Sequence, residues 1–130
     1  MNTISFLLLR LTIGISFFGH GLVRFPKLQA FSNWMVGSFK QSMLPTSLVM
    51  PFSYILPFAE FTIGFLLITG LLTKYALLAG GIVMLLLLFG TTMIESWEAI
   101  PSQIIHVVLL AVLLHFLNAN SFALDHSFNK

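Results

Sequence analysis

Residues 10–25 read RLTIGISFFGHGLVRF. The stretch is apolar enough for lipid, yet it opens on an arginine, carries a histidine and reaches a second arginine one residue before its end. Spacing accounts for all three. Arg10, Gly14, Phe17, Gly21 and Arg24 recur at intervals of four, three, four and three, which places them on one stripe of an α-helix. His20 lies beside that stripe. Gly14 and Gly21 would let a second helix approach closely. Ionisable side chains within a span are costly unless they face a protein interior. The segment therefore reads as a membrane helix with one face turned into a bundle.

The rest of the chain agrees. It has 130 residues, of which 58% are hydrophobic and only 8% charged, far below the roughly 25% charged residues of soluble domains. Mean hydropathy is +0.99. The net charge of +2 is too small and too scattered for a nucleic-acid partner. There is no cysteine, which excludes disulfide chemistry, thiol relays and thiolate metal sites. The first apolar segment has neither a basic leader nor an A-x-A-like cleavage site, so it is expected to be retained as a span.

A span needs about 20 mostly apolar residues. Spans are expected at about 4–23, 48–72, 75–94 and 101–117 within a single domain, 1–130. The last is short, so it is expected either to include a turn before Pro101, a favoured first-turn residue, or to sit with little tilt. In the connector 25–47, Phe31, Trp34, Met35, Phe39 and Met43 recur at helical spacing between Lys27, Gln29, Asn33, Lys40 and Gln41. This pattern predicts an amphipathic interfacial helix; a loop packed on the bundle is the alternative. The fold class is all-α, an integral membrane four-helix bundle with an interfacial helix between spans one and two. Trp34 and Trp97 then share one aromatic belt. Lys74 and Lys130 fall on the terminal side and Arg24, Lys27 and Lys40 on the connector side, a count that favours a cytoplasmic connector by one residue.

The polar residues inside the spans are Arg10, His20, Glu60, His106 and His115. Measured from the connector side, Arg10 is about 21 Å deep and Glu60 about 15–18 Å. An Arg10–Glu60 pair is thus available, and pairing is cheaper than two stranded charges. His20 and His106 lie nearer the surface, at about 6 and 8 Å. Pro57, Glu60 and Gly64 form a facing stripe on span two. These spacings predict a polar pocket of Arg10, His20, Arg24, Glu60 and His106, covered by the connector, with Glu60 and His20 as the catalytic candidates. The alternatives are that Arg10 snorkels to the terminal side, that His20 bonds a backbone carbonyl, and that His106 is structural. Two histidines and a glutamate without H-x-x-H or E-x-x-H spacing do not make a metal site, and no nucleophile triad, phosphate loop or dinucleotide fingerprint is present. Gly80, Gly81 and Gly90 read as packing positions.

In several blocks the chain resembles the DoxX family of small four-span membrane proteins: L-R-L-T-I-G in span one, G-H-G-L-V-R at 19–24, A-E-F-T-I-G-F-L-L-I-T-G-L-L-T at 59–73, and N-A-N-S-F-A-L-D at 118–125. Arg24 stands where the family usually has lysine, and Asn and Ala replace the usual glycine and proline of the final block. The resemblance implies a multi-pass protein of the bacterial inner membrane. Some members are linked to quinone-dependent oxidation, which implies quinone as the cofactor, with a partner oxidoreductase or a soluble reductant as the electron donor; another membrane protein is the alternative partner. Histidine shuttles protons near neutral pH, and a buried carboxyl can serve as acid or base. Enzyme and non-enzyme readings both stand at this point. The alternative is a non-catalytic assembly or stabilising factor for another membrane protein, and a small-solute transporter, which would need a homo-oligomer, ranks third.

Overall fold

A computed structural model describes residues 1–128. All of their regular structure is helical: α1 (Thr3–Arg24), α2 (Leu28–Ser38), α3 (Thr46–Thr69), α4 (Thr73–Met93), α5 (Ile100–His115) and a last short helix, α6 (Leu124–Phe128), with single 3₁₀ turns at Phe25–Lys27, Trp97–Ala99 and Leu117–Ala119. Four segments are long and apolar enough to cross a membrane: Thr3–Ser38, Thr46–Thr69, Thr73–Met93 and Trp97–His115. The fourth gains its length from the turn ahead of Pro101, as expected. Lys130, counted above on the terminal side, lies outside the described residues.

Local chemistry sets each boundary. Asn2 caps α1 by accepting from the Ser5 N–H at 2.7 Å. Pro26, inside the following 3₁₀ turn, breaks the α-geometry between α1 and α2. Gly70 ends α3 with φ +73°, and its N–H bonds the Leu66 carbonyl at 2.8 Å. Only glycine suits that site, because an added Cβ would stand 2.5 Å from Ala123 Cβ. At the end of α4, Ser96 N–H bonds Thr91 O and Glu95 N–H bonds Thr92 O, both at 3.1 Å. This is the paired closure that left-handed C-terminal residues allow, with Glu95 at φ +58°.

The tightest packing is between α1 and α3. A Cβ on Gly21 would stand 2.5 Å from both the Phe61 nitrogen and the Pro57 carbonyl oxygen, and one on Gly64 would meet the Phe18 backbone. Around this seam lies the main core: Phe6, Ile13 and Phe17 of α1, Ile63 and Leu67 of α3, Leu77 and Met84 of α4, and Leu110 and Leu113 of α5. The outward faces are apolar as well, with Leu8, Ile15, Phe58, Ile82, Phe89 and Val108 exposed, as lipid contact requires. Gly80 packs near Phe17 and Gly90 near Phe39, but Gly81 faces open space, contrary to its expected packing role.

The connector is helical over Leu28–Ser38, with turns over residues 39–44. Its buried face is Ser32 and Met35, while Trp34 is 61% and Met43 85% exposed. Met35 joins Val49 and Leu56 of α3 in a second, smaller core. Ser53 Oγ lies 2.6 Å from the Met50 carbonyl and 2.7 Å from Ser32 Oγ. With its single proton on the carbonyl, it accepts from Ser32. So α2 is fastened along the first turns of α3.

At the other end, the C-terminal segment closes the α3–α4 turn. Asp125 accepts from Leu72 N–H at 2.5 Å and Thr73 N–H at 2.7 Å, so it caps α4 from 52 residues away and places a negative charge at the helix N-terminus. Its own N–H returns to the Gly70 carbonyl at 3.0 Å. The cap also holds Leu72 at φ +50°, a conformation that a branched side chain disfavours. Burial alone would raise the Asp125 carboxyl; the bonds from Thr73 and Leu72 and the nearby Arg10 outweigh it and hold the group below its ordinary 3.8.

Gly64→Ala is expected to lower the thermal midpoint in detergent clearly, by an overpacking cost of about 1–3 kcal/mol. Gly81→Ala is expected to be neutral or stabilising by up to about 1 kcal/mol. For Asp125, a depressed folded pKa means that its stabilisation is complete above the unfolded value and disappears as pH falls through the folded one. Asp125→Asn should therefore lower the midpoint at pH 7 by a cap's worth, about 0.5–2 kcal/mol. The gap to wild type should close on acidification below about pH 4.

Candidate functional site

The α1–α3 seam brings Arg24 to Glu60. Arg24 Nη1 donates to Glu60 Oε2 at 2.8 Å, with side-chain exposures of 22% and 5%. The Arg24 guanidinium also sits 4.2 Å from the centre of the Phe31 ring, a cation–π contact. One side chain at the end of α1 thus engages α3 and α2 together. Beside it opens a cavity of about 320 Å³. Its apolar wall includes Phe31, Trp34, Phe39 and Phe52, and its polar lining includes Ser16, His20, Arg24, Glu60, Gln103 and His106.

Both histidines are anchored to the turn before them. His20 Nδ1 lies 2.6 Å from the Ser16 carbonyl and His106 Nδ1 lies 2.7 Å from the Ser102 carbonyl. A carbonyl only accepts, so Nδ1 carries the proton in each ring and Nε2 of the neutral ring is an acceptor. His106 Nε2 is then met by the Ser16 hydroxyl at 2.8 Å, and the Phe17 ring stands edge-on to His106 with centroids 6.1 Å apart. Neither His20 Nε2 nor Glu60 Oε1 has a hydrogen-bond partner among the described residues.

Arg10 does not belong to this cavity and does not pair with Glu60. It is 2% exposed and points toward the terminal side, where Nη1 donates to Asn120 Oδ1 at 2.7 Å and Nη2 to the Phe122 carbonyl at 2.8 Å. Asn120 in turn donates to Thr73 Oγ1 at 3.1 Å. The reason is register. Gly21 lies against Pro57 and Phe61, and Gly14 against Leu67 and Ile68, so Glu60 stands near the level of Gly21. Arg10 is eleven residues further along α1, about 16 Å away. His115 is exposed and sits edge-on to Phe116, away from the cavity.

Among the lining residues that escaped the sequence reading are Ser16, Thr91 and Gln103. For two of them a signal was available, since Ser16 precedes His20 by four and Gln103 precedes His106 by three, each one helical turn away on the same face; Thr91, on α4, had none. Gln103 Nε2 donates to Thr91 Oγ1 at 2.8 Å, while Gln103 Oε1 is buried without a partner.

No curated protein and no solved structure matches the chain. The DoxX family model matches residues 5–93, which takes in α1 through the last residue of α4 and therefore His20, Arg24 and Glu60, though not His106. With this match over well more than half its length, and with four helices apolar enough to span a bilayer, the chain is a multi-pass membrane protein that belongs to the DoxX family.

Proposed function

We propose that the cavity holds the ring of a quinone and that the chain is a membrane subunit of a quinone-linked oxidoreductase, working in the bacterial inner membrane. The observation that carries this reading is the cavity's composition. A space of about 320 Å³, within the roughly 300–1,000 Å³ of small-molecule sites, combines aromatic walls with a buried carboxylate–guanidinium pair and two histidines of defined tautomer. A flat ring with polar edges suits such a space.

When bound, a quinone supplies a two-electron carrier that gains two protons on reduction. The chain's part is to bind, orient and handle protons. Arg24 has N–H groups beyond the one on Glu60, and they can hold a ring oxygen. His20 offers an Nε2 lone pair that can accept a proton from a ring hydroxyl, and Glu60 Oε1 offers a second acceptor in the same lining. Phe31, Phe39 and Phe52 supply apolar wall against which a flat ring packs. Electrons come from a partner oxidoreductase or a soluble reductant, because a chain without cysteine has no thiol couple of its own.

Mass spectrometry of lipids co-purifying with wild type and with Glu60→Gln tests the proposal. Near-stoichiometric quinone is expected in wild type, with a several-fold loss in the variant. Quinone absent from both rejects it and leaves the assembly-factor reading, in which the polar cluster only fixes helix packing. Thermal melts of the same proteins should show an asymmetry. Arg24→Gln strands a buried carboxylate and should cost about 3–5 kcal/mol. Glu60→Gln leaves an arginine near the rim and should cost less, about 1–3 kcal/mol.

A further inference from the structure

A further concavity lies outside the site, on the lipid-facing side of the α3–α4 pair. It is a groove of about 610 Å³. Small side chains make its floor: Ala76 is buried, and Ala59 and Ala79 are half-buried. Large ones make its flanks: Ile55 and Phe58 on α3 and Tyr75 and Ile82 on α4 are all exposed. Among the described residues, Thr62 and Tyr75 alone bring polar side-chain atoms to the lining. A ligand that must satisfy hydrogen bonds therefore finds almost nothing to hold it. A helix, about 10–12 Å across with its side chains, would rest on the flanks above the alanines. A single hydrocarbon chain is narrow enough to reach them.

The groove is continuous in pattern with the ring cavity. On α3, Phe52, Ile55, Ala59, Thr62 and Leu66 follow at intervals of three, four, three and four, which is one stripe of a helix. On α4, Leu72, Tyr75, Ala79, Ile82 and Leu86 follow at the same intervals. Phe52 and Leu86 line the cavity, and every other member of both stripes lines the groove. The two concavities are thus neighbours along the same pair of helix faces, one turn apart. Leu86 belongs to the cavity lining and is 52% exposed, so the cavity reaches the surface on the stripe that carries the groove. From Leu86 to Leu72 is fourteen residues, about 21 Å of helix, or about two thirds of the hydrocarbon thickness.

We infer that the α3–α4 groove is the binding site for the hydrocarbon tail of the cavity's ring ligand, which leaves the cavity beside Leu86 and runs over Ala79 toward Tyr75. The inference rests on the quinone reading and extends it from the ring to the tail. The ligand class becomes a ring carrying an apolar chain several helical turns long, entering sideways from the bilayer. In lipid such a chain gains no hydrophobic energy by leaving its neighbours, so the groove holds it by close van der Waals fit.

The test is photolabelling of full-length protein in nanodiscs. The probe is a benzoquinone whose alkyl tail ends in a diazirine, used with and without an excess of the same ring lacking a tail, and labelled residues are mapped by mass spectrometry. A probe dissolved in the bilayer marks every lipid-facing surface, so the informative label is the part that the tail-less ring removes. That part is expected on the two stripes, between Ile55 and Leu66 and between Leu72 and Ile82. Ala79→Phe, which fills the floor, is expected to abolish it and to weaken the tailed ring several-fold more than the tail-less one. Competable label elsewhere or none, or groove label that the tail-less ring leaves untouched, would overturn the inference; the last result makes the groove a seat for bilayer lipid. So would an Ala79→Phe variant that weakens both rings alike or neither. In each of these cases calorimetric binding of the tail-less ring by wild type leaves the quinone reading standing, and its failure to bind overturns both. Should Ala79→Phe fail to fold, the position of the competable label in wild type decides alone.

Discussion

The approach of α1 to α3 governs the rest of the molecule. Gly14 and Gly21 on one helix and Gly64 on the other remove the side chains that would hold the backbones apart. In lipid no hydrophobic gain drives helices together, so contact of this kind must supply the attraction through close van der Waals packing. The seam also sets the register, and the register decides which ionisable groups meet. It places Arg24 beside Glu60 and leaves Arg10 a long way down the same stripe. The buried ion pair is therefore a consequence of glycine spacing more than of charge attraction. Once docked, it provides the local fit that two charges in a poorly polarisable medium need.

The spans were legible because composition and length suffice for them, and so was the glycine stripe, because its period is helical. The partner of Glu60 was not. Depth counted from the start of each span assumes that all helices begin at one level. The Gly21–Pro57 contact shows instead that α3 starts about 17 Å before the level where α1 ends. That overhang is what α2 packs along, through Ser32, Met35 and the Arg24–Phe31 contact. No single-helix pattern reports an offset between two helices. Which connector residues pack on the protein was not legible either, since Ser32 and Met35 are buried by α3, a neighbour that the pattern within the connector does not report.

Site residues divide in the same way. His20, Glu60 and Arg24 were visible because an ionisable residue in an apolar run is conspicuous. Gln103, Ser16 and Thr91 are neutral, and membrane helices tolerate such side chains by bonding them to their own backbone, as Thr12 does to the Leu8 carbonyl. What distinguishes Gln103 is its bond to Thr91, a threonine of another helix, a relation between elements that spacing within one element cannot show.

The Asp125 cap carries a consequence for biogenesis. The turn between α3 and α4 contains Leu72 in a backbone state it disfavours, and the carboxylate that holds it there belongs to residue 125. Leu72 and Thr73 precede that residue by 53 and 52 positions, so during synthesis the turn is made before its cap. Until it is in place the first amides of α4 lack this cap, and Arg10 likewise depends on Asn120 and the Phe122 carbonyl. The terminal side of the bundle is thus held together by contacts of residues 120–125 with two earlier helices, a fastening that is distinct from the insertion of any span.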